Sequence, residues 1–306
     1  MKNILITGGL GYIGSHISVL LLNLNYNIIV IDNLSNTTYN VYDNICKITN
    51  KHFTLYTYDI TDKLLLQTVF EKHCIDSIIH LAGLKSVNDS ITDSLNYYNN
   101  NLVGTINLLL LMKTYNVNNI IFSSSATVYK PGNIVLTEES LTDPINPYGH
   151  TKLMIEQIMK DSNLNCTVLR YFNPIGNHPS GIIGNFNGNN LVPKIYEAIR
   201  CNKPLQIFGN DYNTPDGTCL RDYIHVMDLS DAHIYVLNCK GYNVYNVGTG
   251  IGTSVLELVT KLNIPYIFTN RRDGDTPILV CDISKIQRLG WTPKYDIDYM
   301  CKNIIS

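Results

Sequence analysis

The sequence predicts an α/β protein built on a doubly wound parallel sheet, with a smaller C-terminal α/β lobe. Over roughly the first 170 residues, short β-rich runs alternate with helical patterns, as in repeated β-α units. Several runs, such as Ile28–Ile31, are continuously apolar, which is typical of a parallel sheet covered by helices on both faces. The first run leads into a glycine-rich turn and then a helix. After Asn173 the alternation weakens, so a second lobe is expected.

The first lobe is expected to contain a series of strands and the helices that connect them. The strands are predicted at Lys2–Thr7, Asn27–Ile31, Phe53–Tyr58, Ser77–Ala82, Ile120–Ser124 and Thr167–Phe172. The first helix follows the glycines and places on one face Ile13, Ile17, Leu20 and Leu21. Further helices are predicted at Thr61–Glu71, Asp93–Tyr115 and Tyr148–Asp161.

The second lobe mixes short strands with helices. Strands are predicted at Gln206–Phe208, Arg221–Val226 and Tyr245–Val247. Helices are predicted at Leu191–Arg200, Asp228–Leu237 and Ser254–Leu262. The segment Asn177–Asn190 is rich in Gly and Asn and is predicted to be a long loop of the kind that covers a site.

Composition and charge exclude several classes of protein. Hydrophobic residues make up 45% of the chain and charged residues 16%, which is an ordinary globular balance. The formal net charge of −2 offers no basic surface for nucleic acid. The sequence contains no run of about 18 apolar residues, the length needed to cross a membrane, and the apolar run Ile4–Ile6 is too short for a signal peptide. The eight cysteines form no CxxC pair, so we expect buried thiols in a reducing cytoplasm and no metal site.

A dinucleotide-binding turn is predicted directly after the first strand. Gly8, Gly11 and Gly14 form a G-x-x-G-x-x-G pattern, in which glycine lets the backbone approach a pyrophosphate at the N-terminus of the next helix. Asp32 ends the second strand, where a carboxylate can accept hydrogen bonds from the ribose hydroxyls of adenosine. Its charge would repel a 2′-phosphate, which favours NAD over NADP. Asp59 follows the third strand and either contacts the adenine or caps the helix that starts near Thr61.

A second group of residues could carry acid–base chemistry. The run Phe122–Tyr129 (FSSSATVY) ends the fifth strand, on the side of the sheet where ligands bind in such folds. Tyr148 and Lys152 open a later helix and share one face because they lie four residues apart. A nearby ammonium and a cationic nicotinamide would lower the pKa of the phenol and make it a usable base. About one Tyr-x-x-x-Lys pair is expected by chance, so its place in the fold carries the argument.

Together these motifs resemble the UDP-glucose 4-epimerase family, in the extended branch of the short-chain dehydrogenase/reductases. The resemblance runs from residue 3 to about residue 293, and its segments are Thr7–His16, Asp32–Asn36, His80–Val87, Phe122–Tyr129, Tyr148–Lys152, Arg170–Gly181, Ile207–Leu229, Tyr245–Val255 and Arg271–Pro277. It implies a Rossmann-type fold with an NAD-binding domain over residues 1–173, to which the chain returns at about 227–250. Residues 174–306 would then form mainly the UDP-sugar-binding lobe.

The resemblance also implies roles for individual positions. Those that match NAD-binding positions are Gly8, Gly11, Tyr12, Ile13, Asp32, Asn33, Asn36, Asp59, Ile60, Ala82, Gly83, Lys85, Asn100, Tyr148, Lys152 and Phe172. The implied catalytic residues are Tyr148 as base, Ser125 on the substrate hydroxyl and Lys152. Those that match UDP-sugar contacts are Ser125, Tyr148, Asn173, Asn190, Leu191, Phe208, Arg221, Arg272, Asp275 and, at the sugar-pocket position, Leu279.

The implied reaction is NAD-dependent epimerisation at carbon 4 of a UDP-hexose, with UDP-glucose and UDP-galactose as the expected pair. Tyr148 takes the hydroxyl proton, carbon 4 gives its hydride to NAD, and hydride returns to the opposite face of the rotated 4-keto sugar. Leu279 leaves more room than an aromatic residue would, so UDP-N-acetylglucosamine and UDP-N-acetylgalactosamine are further expected substrates.

Two alternatives stay open, and one related reaction is disfavoured. The alternatives are a 4-epimerase of another UDP-sugar, such as UDP-glucuronate or UDP-xylose, and a non-catalytic NAD-binding module. Related dehydratases carry an Asp-Glu pair after the threonine of the serine strand, whereas here Val128 follows Thr127, which argues against elimination. A homodimer is also expected, through the helices Asp93–Tyr115 and Tyr148–Asp161.

Overall fold

The structure is a computed structural model that describes residues 2–132, 135–186, 191–272 and 275–305. Its strands are β1 (Asn3–Thr7), β2 (Asn27–Ile31), β3 (Thr54–Tyr56), β4 (Ser77–His80), β5 (Asn119–Ser125), β6 (Asn165–Tyr171), β7 (Asn173–Ile175), β8 (Leu205–Phe208), β9 (Leu220–His225), β10 (Tyr242–Val247), β11 (Gly252–Ser254), β12 (Tyr266–Thr269) and β13 (Ile278–Leu279). Its α-helices are α1 (Tyr12–Asn23), α2 (Asn40–Thr49), α3 (Lys63–Lys72), α4 (Val87–Thr92), α5 (Ser94–Tyr98), α6 (Gly104–Thr114), α7 (Pro147–Asp161), α8 (Leu191–Cys201), α9 (Val226–Val236), α10 (Val255–Lys261), α11 (Ser284–Gln287) and α12 (Ile297–Ile305).

The chain forms two compact units. Unit 1 comprises Met1–Val128, Pro144–Arg170 and Ser230–Tyr245. Unit 2 comprises Tyr129–Asp143, Tyr171–Leu229 and Asn246–Ser306. In the described ranges, no helix combines the length and the apolar character needed to cross a bilayer.

The central sheet, which lies mainly in unit 1, has the strand order β10-β6-β5-β4-β1-β2-β3. From β5 to β3 every neighbouring pair is parallel. The series β3-β2-β1-β4-β5-β6 is the strand order of a dinucleotide-binding sheet. The order in which strands are added reverses between β1 and β4, although the strands stay parallel, and such sheets bind ligands there at the carboxyl ends of the strands. This mainly parallel sheet with its helices confirms the predicted Rossmann-type fold.

The core of unit 1 follows from the continuously apolar strands. Leu5, Ile29 and Ile78 on three strands are completely buried and share one cluster with Leu108 of α6 and Ile155 of α7. Burial of each such side chain contributes on the order of 1.5–3 kcal/mol, which is why short apolar runs fix the sheet so firmly.

The helix predicted over Asp93–Tyr115 differs from the structure. A π-helical segment, Asn99–Val103, separates α5 from α6, so this prediction of one continuous helix was wrong. In this segment the side chain of Asn101 accepts from the amide of Leu84, and Gly104 packs so closely on Ile60 that a Cβ atom would overlap it. Helices α2, α4, α11 and α12 were not predicted.

Unit 2 is organised around β9. This strand pairs with β11 in antiparallel and with β13 and β7 in parallel orientation, and a separate parallel pair joins β12 to β8. A second hydrophobic cluster includes Ile195, Ile207, Leu258 and Met300. The long-range pairing of β9 with three short strands brings together residues that lie far apart in the sequence.

Candidate active site

The turn between β1 and α1 fits a pyrophosphate. Gly8 has a φ of +70°, and a Cβ atom there would lie 2.8 Å from the backbone nitrogen of Ala82. A Cβ atom on Gly14 would overlap the carbonyl oxygen of Gly8. Gly11 is the N-cap of α1, and it has no side chain to cap the helix. The turn therefore leaves a helix N-terminus accessible to an anion.

Asp32 follows β2 directly and lies against this turn. Its two carboxylate oxygens accept hydrogen bonds of 3.0 Å from the backbone amides of Leu10 and Leu34. Burial raises the pKa of Asp32, although these amides partly oppose that effect. With backbone amides occupying only part of its accepting capacity, the carboxylate can still accept from a ribose hydroxyl.

Asp59 stabilises the loop that follows β2 through hydrogen bonds. Its carboxylate accepts from the side-chain amide of Asn33 at 2.7 Å and from the backbone amide of Thr61 at 2.8 Å. Burial opposes ionisation, but the hydrogen bonds from Thr61 and Asn33 outweigh it and lower the pKa of Asp59. The N-cap of α3 is Asp62, whose side chain accepts from Leu65, so Asp59 does not cap this helix.

The remaining residues that the sequence assigned to NAD lie on neighbouring loops and helix starts. Lys85 is solvent-exposed, yet the surrounding protein desolvates its ammonium and lowers its pKa. In unit 1, the others are Tyr12 and Ile13 in the first turn of α1, exposed Asn36 after β2, buried Ile60, Ala82 and Gly83 after β4, and Asn100 in the π-helical segment. Phe172 belongs to unit 2, where it is buried near the ring of Tyr129.

Tyr148 lies in the first turn of α7. The side chain of Asn146 caps this helix by accepting from the amide of Gly149 at 2.8 Å. A Cβ atom on Gly149 would lie 2.7 Å from the carbonyl oxygen of Thr127, so glycine allows α7 to approach the turn after β5 closely. This approach brings the phenol close enough to Ser125 for the serine hydroxyl to lower the pKa of Tyr148. The positive end of the helix dipole also favours a phenolate at this position.

Thr127 orients the hydroxyl of Ser125. The Ser125 oxygen accepts from the backbone amide of Thr127 at 3.2 Å and from its hydroxyl at 3.0 Å. Because both contacts are directed at the oxygen, the Ser125 proton is available to the phenol or to a substrate oxygen. Sequence reasoning missed this role of Thr127, although the residue lies within the run that it singled out.

Lys152 is buried behind the phenol. Its Nζ donates to the carbonyl oxygen of Ser123 at 2.7 Å and lies 4.7 Å from the ring centroid of Phe122 and 5.8 Å from that of Tyr148. Burial lowers the pKa of Lys152 to about 7, although Glu156 opposes this shift.

The pKa of Tyr148 itself differs from the sequence-based expectation. The pKa of Tyr148 is raised to about 12, mainly by burial; Ser125 opposes this shift and Tyr97 adds to it. The expectation of a lowered pKa was therefore wrong for the protein groups alone, because desolvation of the phenolate dominates. Bound NAD would add the positive charge of its nicotinamide, which favours the phenolate.

Two further buried residues support this arrangement and were missed. The side chain of Asn101 accepts from the amide of Leu84 at 2.8 Å and donates to the hydroxyl of Thr151 at 3.0 Å, so it links the loop after β4 to α7. His80 contacts the hydroxyls of Thr7 at 2.7 Å and Thr105 at 2.9 Å. Burial and the nearby Lys152 lower the pKa of His80 to about 3, which keeps it neutral. For His80, the available signal was a histidine directly after the apolar Ile78 and Ile79.

In unit 2, Arg221 and Arg272 are the cationic residues among the predicted substrate contacts. Arg221 donates to the carbonyl oxygen of Thr276 at 2.7 Å and lies 3.6 Å from Asp275. It also pairs with Leu279 in the register of β9 and β13. The guanidinium of Arg272 stacks on Phe208 with 3.6 Å to the ring centroid. Planar guanidinium groups of this kind suit a diphosphate.

Three other predicted substrate contacts of unit 2 are Asn173, Leu191 and Asn190. Asn173 donates to the backbone oxygen of Asp222 at 3.1 Å, and Leu191 begins α8. Asn190 lies outside the described residues. Sequence reasoning missed Asp222, which is fully buried and binds the backbone amides of Thr249 and Gly250. It thereby fixes the strand segment that carries Arg221.

Comparisons with known proteins show the family to which the chain belongs. Residues 4–248 match the NAD dependent epimerase/dehydratase family. UDP-glucose 4-epimerase of Bacillus subtilis is 46% identical, over 97% of this chain and 94% of the relative. The structure of UDP-glucose 4-epimerase from Bifidobacterium longum in complex with NAD+ and UDP has a TM-score of 0.93 and 41% identity, and covers 99% of this chain and 97% of that chain.

A further similar structure is that of the UDP-Glc/GlcNAc 4-epimerase from Campylobacter jejuni. Its TM-score is 0.85 at 36% identity, and the match covers 99% of this chain and 98% of that chain. The family match spans well over half of the sequence, and each relative aligns along nearly its whole length. The chain therefore belongs to the NAD dependent epimerase/dehydratase family.

Proposed function

We propose that this protein is an isomerase that interconverts UDP-glucose and UDP-galactose by epimerisation at carbon 4, with NAD as its resident cofactor. The observation that carries the proposal is the placement of Tyr148 beside Ser125, whose hydroxyl lowers the pKa of the phenol, with Lys152 one helical turn away, in the same unit as the glycine turn. The near-full-length similarity to UDP-glucose 4-epimerases supports it.

Each catalytic residue has a role that its contacts support. Ser125, oriented by Thr127, donates its proton to the oxygen on carbon 4. Tyr148 removes the proton from that oxygen and returns it after inversion. Lys152 bonds the nicotinamide ribose, and its charge favours the phenolate. Bound NAD supplies the hydride acceptor.

The cofactor and the UDP-sugar have separate groups of residues in this proposal. The turn from Gly8 to Gly14 binds the pyrophosphate of NAD, and Asp32 accepts from the adenosine ribose. Unit 2 serves mainly as the UDP-sugar lobe, in which the cationic residues bind the diphosphate. Its proposed substrate residues are Asn173, Asn190, Leu191, Phe208, Arg221, Arg272, Asp275 and Leu279.

The fate of a label on carbon 4 tests the chemistry. UDP-galactose that carries deuterium on carbon 4 should give UDP-glucose with the deuterium still on carbon 4, because the hydride leaves and returns within one site. Tyr148→Phe should abolish this conversion and still bind NAD. Exchange of the label with solvent, or full activity of Tyr148→Phe, would contradict the proposal.

UDP-N-acetylhexosamines are a second class of proposed substrate. Leu279 at the sugar-pocket position carries no aromatic ring, and the Campylobacter jejuni relative is described as a UDP-Glc/GlcNAc 4-epimerase. Leu279→Tyr should suppress turnover of UDP-N-acetylgalactosamine and leave turnover of UDP-galactose nearly unchanged. Absence of turnover of the acetamido sugar by the unmodified protein at saturating concentration would sink this extension.

A homodimer in the cytoplasm is the proposed working form. Val103 at the end of the π-helical segment and Ile106 and Leu110 on α6 are exposed on one helical face, and Leu95 on α5 and Met154 on α7 are also exposed. A second copy would bury these apolar side chains. All eight cysteines are free, as a reducing compartment requires. Light scattering at micromolar concentration should give twice the mass of the chain, and a monomer would contradict the dimer.

A further inference from the structure

Helix α7 presents a third polar residue toward β5, beyond the two that the proposed function uses. Tyr148, Lys152 and Glu156 are spaced by four residues and therefore share one helical face. They contact three consecutive serines of β5. Lys152 donates to the carbonyl oxygen of Ser123, Glu156 accepts from the hydroxyl of Ser124, and Tyr148 lies close enough to Ser125 for that hydroxyl to lower its pKa. Each of the three serines therefore lies next to one polar side chain of α7.

Glu156 is a buried charge held by a buried partner. Arg170 on β6 donates to one Glu156 oxygen at 3.0 Å and to the other at 2.6 Å, in a bidentate arrangement. The side chains of Arg170 and Glu156 are only 7% and 3% exposed. An isolated charge in such a place would be strongly destabilising, so each residue depends on the other. A purely apolar pair could fill the same volume, and the ion pair therefore invites a functional explanation.

We propose that the Glu156–Arg170 pair positions the catalytic residues, by fixing the register of α7 on β5 and by holding Lys152 in its ammonium form. This inference rests on the proposed function, because it gives Lys152 a role in the reaction. Neither Glu156 nor Arg170 touches substrate or cofactor in this account. Both act through Lys152 and through the strand that carries Ser125.

Among the groups around Lys152, Glu156 is the one whose charge stabilises the ammonium. The titratable and charged groups that surround it are Tyr148 and Glu156 on α7, His80 on β4, Arg170 on β6 behind Glu156, and Tyr97 on α5, which faces Tyr148. His80 is neutral and Tyr97 is a phenol, so Glu156 is the nearby carboxylate that stabilises the ammonium. Burial acts in the opposite direction. Loss of the carboxylate therefore leaves the ammonium less stable.

The sign of the effect on activity follows directly. If turnover needs the Lys152 ammonium, activity is lost as pH rises through its pKa. Glu156→Gln removes the stabilising charge and leaves Arg170 unpaired, so the alkaline limb of kcat against pH should move down by about one unit or more. At a pH on that limb, kcat should then fall about tenfold.

A set of variants separates this role from a merely structural one. Glu156→Asp keeps the charge and should keep the alkaline limb close to its original position. The double variant Glu156→Gln/Arg170→Met removes both charges, avoids an unpaired cation and should show a smaller shift in the same direction. Gln157→Ala changes the exposed neighbour on the same helix and serves as the control.

The outcomes are distinct. An alkaline limb that moves down in Glu156→Gln, less in the double variant and not in Gln157→Ala supports the proposal. Unchanged pH profiles with kcat lowered at every pH would overturn it, because they indicate structural damage alone. If Glu156→Gln does not fold, the double variant decides by the same criterion. Failure of the unmodified enzyme to convert UDP-galactose would instead count against the proposed function.

Discussion

Lys152 offers a direct test of how the phenol of Tyr148 becomes a base. Its Nζ lies 5.8 Å from the centroid of the Tyr148 ring. With an effective dielectric constant of about 20, Lys152 in its ammonium form would stabilise a phenolate at this distance by at most about 3 kcal/mol, or about two pKa units. Lys152→Met retains the aliphatic stem against Phe122 and removes this charge. We therefore expect the pKa of Tyr148 to rise by about two units in the variant saturated with NAD.

The assay is a pH titration of the phenolate by ultraviolet absorbance. Subtraction of the corresponding Tyr148→Phe protein isolates one tyrosine from the 21 in the chain. Turnover at neutral pH should fall about a hundredfold in Lys152→Met, since the fraction of phenolate falls by that factor. Lys160→Met, at an exposed lysine of the same helix, is the matched control. A Tyr148 pKa that changes by less than about half a unit would refute the electrostatic role of Lys152.

Three other predictions concern cofactor binding and stability. Gly14→Ala should lose bound NAD, because the new Cβ atom overlaps the turn. The control Gly132→Ala should retain NAD, because open space surrounds that position, and chromatography of the released cofactor measures both. Asn101→Ala should lower the free energy of unfolding, measured by urea denaturation, by roughly 2–4 kcal/mol, since three hydrogen bonds of this buried side chain are lost. The exposed control Asn118→Ala should lower it by less than roughly 0.5 kcal/mol, and equal losses would contradict the prediction. Burial lowers the pKa of His225 from 6.5 to about 4, so the folded protein binds fewer protons than the unfolded chain in that interval. Stability present above pH 6.5 should therefore decline as pH falls toward 4, by up to roughly 3 kcal/mol for this residue, and His225→Gln should show a shallower decline in urea titrations.

The strands of unit 1 were predictable because their signal is local. An apolar run such as Ile28–Ile31 must be buried on both faces, and the structure places its strand at the predicted residues, Asn27–Ile31. The predicted start of α7 at Tyr148 is correct to within one residue, and Pro147, which is well suited to the first helical position, explains why the helix begins there. Helix α2 lacked such a signal, since only two of its ten residues are buried.

Other features depend on contacts that a linear pattern does not contain. The π-helical segment has the sequence NNNLV, and its conformation reflects the bonds of Asn101 to a distant loop. The pairing of β9 with β7, β11 and β13 is equally non-local. The raised pKa of Tyr148 results from burial, which the spacing of Tyr148 and Lys152 does not reveal. The sequence could therefore place these two residues on one helical face and could not give their electrostatic environment.

The most direct test of the proposed function is the conversion of UDP-galactose by the purified protein without added NAD. We expect UDP-glucose to accumulate until an equilibrium mixture is reached, as measured by chromatography, because the cofactor remains bound through each turnover. A parallel sample with added NAD should reach the same mixture at a similar rate. If neither sample converts UDP-galactose, and the N-acetyl and uronic UDP-sugars also remain unchanged, the protein is not a UDP-sugar 4-epimerase and its NAD site serves binding alone.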